Sequence, residues 1–134
     1  MLLLDTGVLY ALADRHDAWH ERVKAYLSEV VDPLIVPVTV IPEITSLLQT
    51  KLGEKAERAF VRSLTAHELD LEPLQHADVA RAAVLLAIYP QIGFVDASIV
   101  AMAERLKVRT LATTDRRHFA PIRPAHVKAF DLVP

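Results

Sequence analysis

The chain of 134 residues contains no cysteine. Disulfide bonds and thiolate metal sites are therefore excluded, and the composition fits a reducing, cytoplasmic environment. Long hydrophobic runs are also absent, because the longest stretch without a charged residue, Ala82 to Val95, is broken by Pro90 and Gly93. A membrane-spanning helix needs roughly 18 apolar residues or more, so we expect a soluble protein that makes no contact with a membrane.

An excess of positive charge is lacking as well. The formal net charge is -2 and the isoelectric point is about 6.3, so no overall positive field favours binding to nucleic acid. A polyanion would have to be held by a local group of cations or through a metal ion. The six histidines show no HExxH or other paired spacing, which argues against a zinc site.

Short apolar runs alternate with amphipathic segments along the whole chain. We predict five strands, at Leu2–Leu4, Leu34–Val36, Glu68–Leu71, Arg109–Thr113 and Val127–Phe130. Apolar residues at spacings of three and four predict helices at Val8–Ala13, Ala18–Val31, Thr39–Lys51, Glu54–Ala66, His76–Ile88 and Asp96–Leu106. Thr39 is the predicted capping hydroxyl of the third helix, and Pro42 lies in its first turn.

This alternation is typical of an α/β fold. A hydrophobic content of 52% in a chain of this length supports one core, so we predict a single domain over residues 1–134. Strands that alternate with helices predict a three-layer α/β/α sandwich with a mostly parallel sheet and right-handed crossovers.

Four acidic residues stand where such a fold brings ligands together. Asp5 and Asp115 directly follow the first and fourth strands, and Glu43 and Asp96 lie in the opening turns of helices. In open parallel sheets these positions meet at the edge formed by the carboxyl ends of the strands. We therefore expect one anionic cavity built from distant parts of the chain.

Four carboxylates in one cavity need a counter-charge. A single like-charge pair about 4 Å apart costs roughly 4 kcal/mol at a surface-like effective dielectric. Protonation or basic partners would relieve this, but oxygen ligands with open positions also match Mg²⁺ or Mn²⁺. Such an ion orients and acidifies a water and neutralises charge on a phosphorus centre. The pattern thus indicates phosphodiester hydrolysis.

Each acid also has a structural interpretation. Alone, Asp5 would be a strand-end turn residue, Asp96 a helix cap, Glu43 a solvated first-turn acid and Asp115 part of a turn. The expected co-location favours the metal site. Asp5 follows a strand buried on both faces, and Asp96 lies between Val95 and Ala97, where an unpaired charge is costly.

Four segments that contain these acids resemble the PIN-domain family, and within it the VapC-type toxin ribonucleases of toxin–antitoxin pairs. The segments are Leu3–Gly7, Pro42–Ile44, Gly93–Ser98 and Leu111–Phe119, and the resemblance runs from Leu2 to about Phe130. Two positions depart from the family pattern. Some members carry a hydroxyl or amide side chain where Gly7 stands and another acid where Arg117 stands.

The resemblance implies a Mg²⁺- or Mn²⁺-dependent endoribonuclease that acts on RNA as a homodimer. It implies that the metal is bound by Asp5, Glu43, Asp96 and Asp115. It also implies a cognate antitoxin, a small protein whose C-terminal segment covers the active site. The alternative from another class is a catalytically silent PIN-like module that binds RNA or a protein partner. A phosphatase of the haloacid-dehalogenase type needs a second acid two residues after Asp5, where Gly7 stands. A receiver domain needs an acidic pair after the first strand and an aspartate after the third, and neither is present.

Other polar residues near the acids have two interpretations. Thr6 and Thr114 are candidates for binding a metal ligand, a water or a phosphate, whereas capping or strand-end hydrogen bonding is favoured for Ser98 and Thr113. Arg116 and Arg117 are candidates for gripping RNA phosphates, and a role as ordinary surface arginines is equally consistent with the sequence. The helical spacing of Trp19 and Tyr26 indicates a core or dimer face more than base stacking.

Overall fold

A parallel sheet of five strands forms the centre of the structure, a computed structural model that describes residues 1–134. The strands are β1 (Leu2–Leu4), β2 (Leu34–Pro37), β3 (Asp70–Glu72), β4 (Thr110–Ala112) and β5 (Asp131–Val133), in the order β3-β2-β1-β4-β5. Every neighbouring pair is parallel. β1 is therefore the central strand, and its three leucines are buried because helices cover both faces.

Seven helices connect and cover the strands. They are α1 (Thr6–Ala13), α2 (His20–Glu29), α3 (Ile41–Leu52), α4 (Glu54–Thr65), α5 (His76–Ile88), α6 (Phe94–Leu106) and α7 (Arg116–Phe119). The predicted three-layer α/β/α architecture is confirmed. No helix combines the length and the apolar character that crossing a bilayer requires.

The predicted helices are all present, with shifts at their ends. α5 has the predicted bounds, and it ends where Pro90 forces Tyr89 into an extended conformation, with φ −115° and ψ 92°. α6 begins two residues earlier than predicted, at Phe94, which leaves Asp96 in the first turn. The short helix α7 was not predicted, because its four residues carry no periodic apolar pattern.

Two local predictions were wrong, and one predicted strand is present but shifted. Thr39 does not cap α3; a 3-10 turn at Val38–Val40 precedes the helix, and the Thr39 hydroxyl instead lies 2.6 Å from that of Ser98. β3 is shifted towards the C-terminus, because its register is set by pairing Asp70 with Ile35.

The last strand is Asp131–Val133 and not Val127–Phe130. The register with β4 explains the shift, because it pairs Thr110 with Asp131. Before this strand, the Nε2 atom of His126 lies 2.6 Å from the carbonyl oxygen of Val108. Phe130 itself is buried as an anchor, and β5 starts after it.

Trp19 and Tyr26 are partly buried and pack against the hydrophobic core. The Arg22 guanidinium lies 4.4 Å from the centre of the Trp19 ring, a cation–π geometry that covers part of the remaining ring surface. Both side chains therefore contact the core, and a dimer face around them stays a prediction.

Candidate active site

The four acidic residues lie at one edge of the sheet, next to the point where the strand order changes direction. β2 and β3 lie on one side of β1, and β4 and β5 lie on the other. Asp5 follows β1 and Asp115 follows the adjacent β4, so both emerge at this switch point, where open α/β sheets bind ligands. Glu43 and Asp96 reach the same place from the first turns of α3 and α6.

All four acids line one open cleft of about 500 Å³. The cleft is also lined by Thr6, Gly7, Leu47, Gly93, Phe94, Val95, Thr114 and His118. The predicted anionic cavity is thus present in the structure. Glu43 is exposed at its rim, whereas Asp5 is only 7% exposed at its base.

Asp5 is buried at the end of the central strand and held by two hydrogen bonds. Its carboxylate accepts one from the Thr6 backbone N–H at 2.7 Å and one from the Thr113 hydroxyl at 2.8 Å. Burial raises the pKa of Asp5 from 3.8 to about 6, against the lowering effect of these bonds, and repulsion from Asp96 and Glu43 adds to the rise. The ionised form of Asp5 is therefore held in place at an electrostatic cost.

Asp96 and Asp115 share one imidazole. The Nδ1 atom of His118 lies 3.0 Å from a carboxylate oxygen of each. Burial raises the pKa of Asp96; His118 opposes this shift, and the charges of Asp115 and Glu43 reinforce it. His118 thus stands between two acids that would otherwise repel each other.

The sequence patterns did not identify His118 as a residue of the site, and they assigned Thr113 a different role. Thr113 is fully buried; its hydroxyl donates to Asp5 and accepts from the Asp115 backbone N–H at 2.9 Å. It therefore links the acids that follow β1 and β4. His118 follows Asp115 by three residues, which is the spacing of neighbours on a helix, but that signal depends on α7, which the pattern did not predict.

The remaining candidates divide between the cleft and the surface. Thr6 and Thr114 line the cleft, whereas Arg116 and Arg117 are exposed on α7 and do not line it. Arg116 donates to the carbonyl oxygen of Pro134 at 2.6 Å. Ser98 is fully buried and donates to the Val95 carbonyl at 2.6 Å, which is the structural role favoured from the sequence.

The chemistry of the cleft fits a hard divalent cation, although the side chains do not converge on one point. Its donors are carboxylate and hydroxyl oxygens, which such ions prefer. The Thr6 hydroxyl is buried without any hydrogen-bond partner, as expected for a group that awaits a ligand. No group of three acidic or histidine side chains is arranged to hold an ion as it stands, because the imidazole of His118 lies between the carboxylates of Asp96 and Asp115.

Comparison with known proteins places the chain in a family. The family model for the PIN domain matches residues 2–123. The chain is 33% identical over 135 residues to ribonuclease VapC26 of Mycobacterium tuberculosis (strain ATCC 25618 / H37Rv), with 99% of this chain and 100% of that protein covered.

Solved structures share the same fold. The crystal structure of M. tuberculosis VapC20, described as a sarcin–ricin-loop-cleaving toxin, superposes with a TM-score of 0.84 at 20% identity and covers 96% of this chain and 99% of its own. A chain from a Klebsiella pneumoniae toxin–antitoxin complex gives 0.75 at 18% identity, covering 100% and 97%. The chain matches the family model over most of its length and a ribonuclease from end to end, and it therefore belongs to the PIN-domain family.

Proposed function

We propose that this protein is an endoribonuclease that hydrolyses RNA phosphodiester bonds with the help of a divalent metal ion, Mg²⁺ or Mn²⁺, and that it is the toxin of a toxin–antitoxin pair. The observation that carries the proposal is the cleft at the switch point of the sheet, lined by Asp5, Glu43, Asp96 and Asp115. Similarity over the full chain to a VapC ribonuclease supports the same activity.

In this proposal the four acids hold the metal. When bound, the ion supplies a Lewis acid that lowers the pKa of a water and offsets charge on the phosphoryl oxygens. Asp5 is the acid most firmly placed, because Thr113 and the Thr6 backbone both hydrogen-bond to it. Thr6 and Thr114 bind the substrate at the wall of the cleft. Arg116 and Arg117, exposed on α7, hold RNA phosphates outside it.

The test of this function is a cleavage assay on purified protein free of any partner. Structured and single-stranded RNA are incubated with the wild-type protein in Mn²⁺, with the wild-type protein in chelator, and with the Asp96→Asn variant in Mn²⁺. Of these three reactions, we expect cleavage only for the wild-type protein in Mn²⁺. Cleavage that ignores both the chelator and the substitution would contradict the metal mechanism.

The same assay separates the enzyme from a catalytically silent module. The absence of a preformed three-ligand group is the observation that favours the silent alternative. Tight binding of RNA or of a partner protein, with no cleavage of any RNA in Mg²⁺ or Mn²⁺, would be the result expected for it. Circular dichroism on Asp96→Asn controls for loss of folding.

The partners in this proposal are an antitoxin and a second copy of the chain. The structural neighbours include several toxin–antitoxin complexes, which supports an antitoxin for this protein.

A homodimer is supported by the outer face of α5. The only charged side chains of that helix, Asp78 and Arg81, turn to Arg105 and Glu104 of α6. The exposed surface of the helix carries Val79 and Leu86 along one flank and Val84 and Ile88 along the other, a wide apolar surface that favours association.

We expect Val84→Glu to convert a dimer into a monomer, because a charge within an apolar interface would be buried without a partner. Sedimentation or size exclusion with light scattering measures the mass. Val61→Glu on α4, at a comparably exposed valine, is the matched control and leaves the mass unchanged. A Val84→Glu protein that keeps the wild-type mass would remove α5 from the interface.

A further inference from the structure

A glycine is needed at position 7 because there is no room for a side chain, and not because of its backbone conformation. It lies in the first turn of α1, and its φ is not in the left-handed region, so another residue could adopt the same backbone. Glycine also disfavours helix compared with alanine, by up to about 1 kcal/mol in a helix interior. A Cβ built on Gly7 would overlap the Thr114 hydroxyl. The side chain of Thr114 therefore fills the volume that a side chain at position 7 would need.

The chain on both sides of Thr114 is held by hydrogen bonds. The preceding Thr113 is bonded to Asp5, and the hydroxyl of Thr113 also accepts from the backbone of the following Asp115. A β-branched side chain such as threonine has few rotamers open to it. Thr114 lines the cleft, whereas Thr113 points into the interior and is fully buried.

We propose that Thr114 is a positioning residue of the cleft: its hydroxyl, seated over Gly7, orients a water or a phosphate oxygen beside the acids. The proposal rests on the proposed function. The proposal also implies that the residues at positions 7 and 114 depend on each other, because the space between them has room for the polar side chain of only one of them. A hydroxyl presented from position 7 can then replace that of Thr114 only when residue 114 is made smaller.

The experiment compares Thr114→Val, Thr114→Ser, Gly7→Ser and the double variant Gly7→Ser with Thr114→Ala. Thr114→Val keeps the shape and removes the hydroxyl, so we expect about a tenfold loss of kcat, the loss expected from one hydrogen bond, with little change in the melting temperature. Thr114→Ser restores kcat to within about threefold of wild type, as expected for a hydroxyl role. Calorimetric Mn²⁺ affinity is the second readout for every variant.

Gly7→Ser alone should lower the melting temperature by several degrees and weaken Mn²⁺ binding, because it displaces Thr114. In the double variant the nearest remaining side-chain atom of residue 114 is its Cβ, 3.5 Å from the new Cβ, an ordinary contact. We therefore expect both the melting temperature and the Mn²⁺ affinity of the double variant to recover above those of Gly7→Ser. Thr50→Val, at an exposed threonine of α3, is the control for loss of a hydroxyl.

Three outcomes would overturn the proposal. A Thr114→Val enzyme with wild-type kcat would show that the hydroxyl is idle, and a double variant no better than Gly7→Ser would show that the two positions do not share one volume. Either result leaves the proposed function standing. A wild-type protein that neither binds Mn²⁺ nor cleaves RNA would overturn the proposed function, and with it the role of Thr114.

Discussion

Asp5→Asn is expected to abolish RNA cleavage while making the metal-free protein more stable. The substitution removes the charge of the most buried acid of the cleft and so a proposed metal ligand. Replacing a residue that only supports a metal ligand lowers metal affinity or activity by about 10- to 100-fold. We therefore expect the replacement of a ligand itself to lower the cleavage rate by more than about 100-fold. The gain in stability follows because ionised Asp5 is desolvated and repelled by its neighbours.

The direction of the stability change follows from the raised pKa. With a pKa of about 6 in the folded protein and 3.8 as reference, Asp5 binds its proton more tightly when folded. Its favourable contribution is complete below pH 3.8 and is lost as the pH rises through about 6. At pH 7 the neutral asparagine avoids this cost, which we expect to be on the order of 1 to 3 kcal/mol.

Thermal and urea unfolding of the wild type and Asp5→Asn, with chelator and with Mn²⁺, measures both effects. Mn²⁺ should raise the melting temperature of the wild type more than that of the variant, because a ligand stabilises the state that binds it. Asp32→Asn, at an exposed acid just before β2, is the control and should change neither property. An Asp5→Asn variant that is less stable than the wild type in chelator would refute the electrostatic account of Asp5.

Asp78→Ala is expected to destabilise the protein by about 3 kcal/mol. Asp78 is 2% exposed and accepts two hydrogen bonds from Arg105. Its carboxylate also accepts from the Gln75 backbone N–H, which completes the capping box of α5. Loss of a cap costs about 1 kcal/mol, and breaking one partner of a buried ion pair costs several. Glu72 still pairs with Arg105, which limits the effect.

Urea unfolding at several pH values checks this prediction. Burial alone would raise the pKa of Asp78, but the hydrogen bonds from Arg105 and Gln75 outweigh it and lower the pKa. The stabilisation is therefore present above pH 3.8 and is lost as the pH falls below it, so the wild type and the variant converge in acid. Asp70→Ala, at an exposed acid on β3, should cost less than about 0.5 kcal/mol. A difference below 1 kcal/mol for Asp78→Ala at pH 7 would contradict the prediction.

Local sequence patterns predicted most of the secondary structure. Leu2–Leu4 is apolar throughout because β1 is covered on both faces, and Pro90 ends α5 through its effect on Tyr89. Errors arose where a partner far along the chain decides the outcome. β3 begins at Asp70 because of its register with β2, and Thr39 serves Ser98, 59 residues away, instead of its own helix.

The location of the acidic cleft was also predictable, because parallel strands bring their carboxyl ends to one edge whatever their order. The identity of its supporting residues was not. Thr113 reaches Asp5 across 108 residues only because β4 is inserted beside β1, and the strand order that permits this contact is not encoded in any short pattern.

By itself, the sequence determined the layered α/β fold, the edge at which four carboxylates meet, and the chemistry that oxygen donors of that kind favour. Each of these depends on residue type and on short-range periodicity. Only the tertiary structure decided how the acids are held: Thr113 under Asp5, His118 between Asp96 and Asp115, and Thr114 over Gly7. Apart from the local contact of His118 with Asp115, those contacts join segments that are distant in the chain, so they form only when the packed sheet brings the segments together.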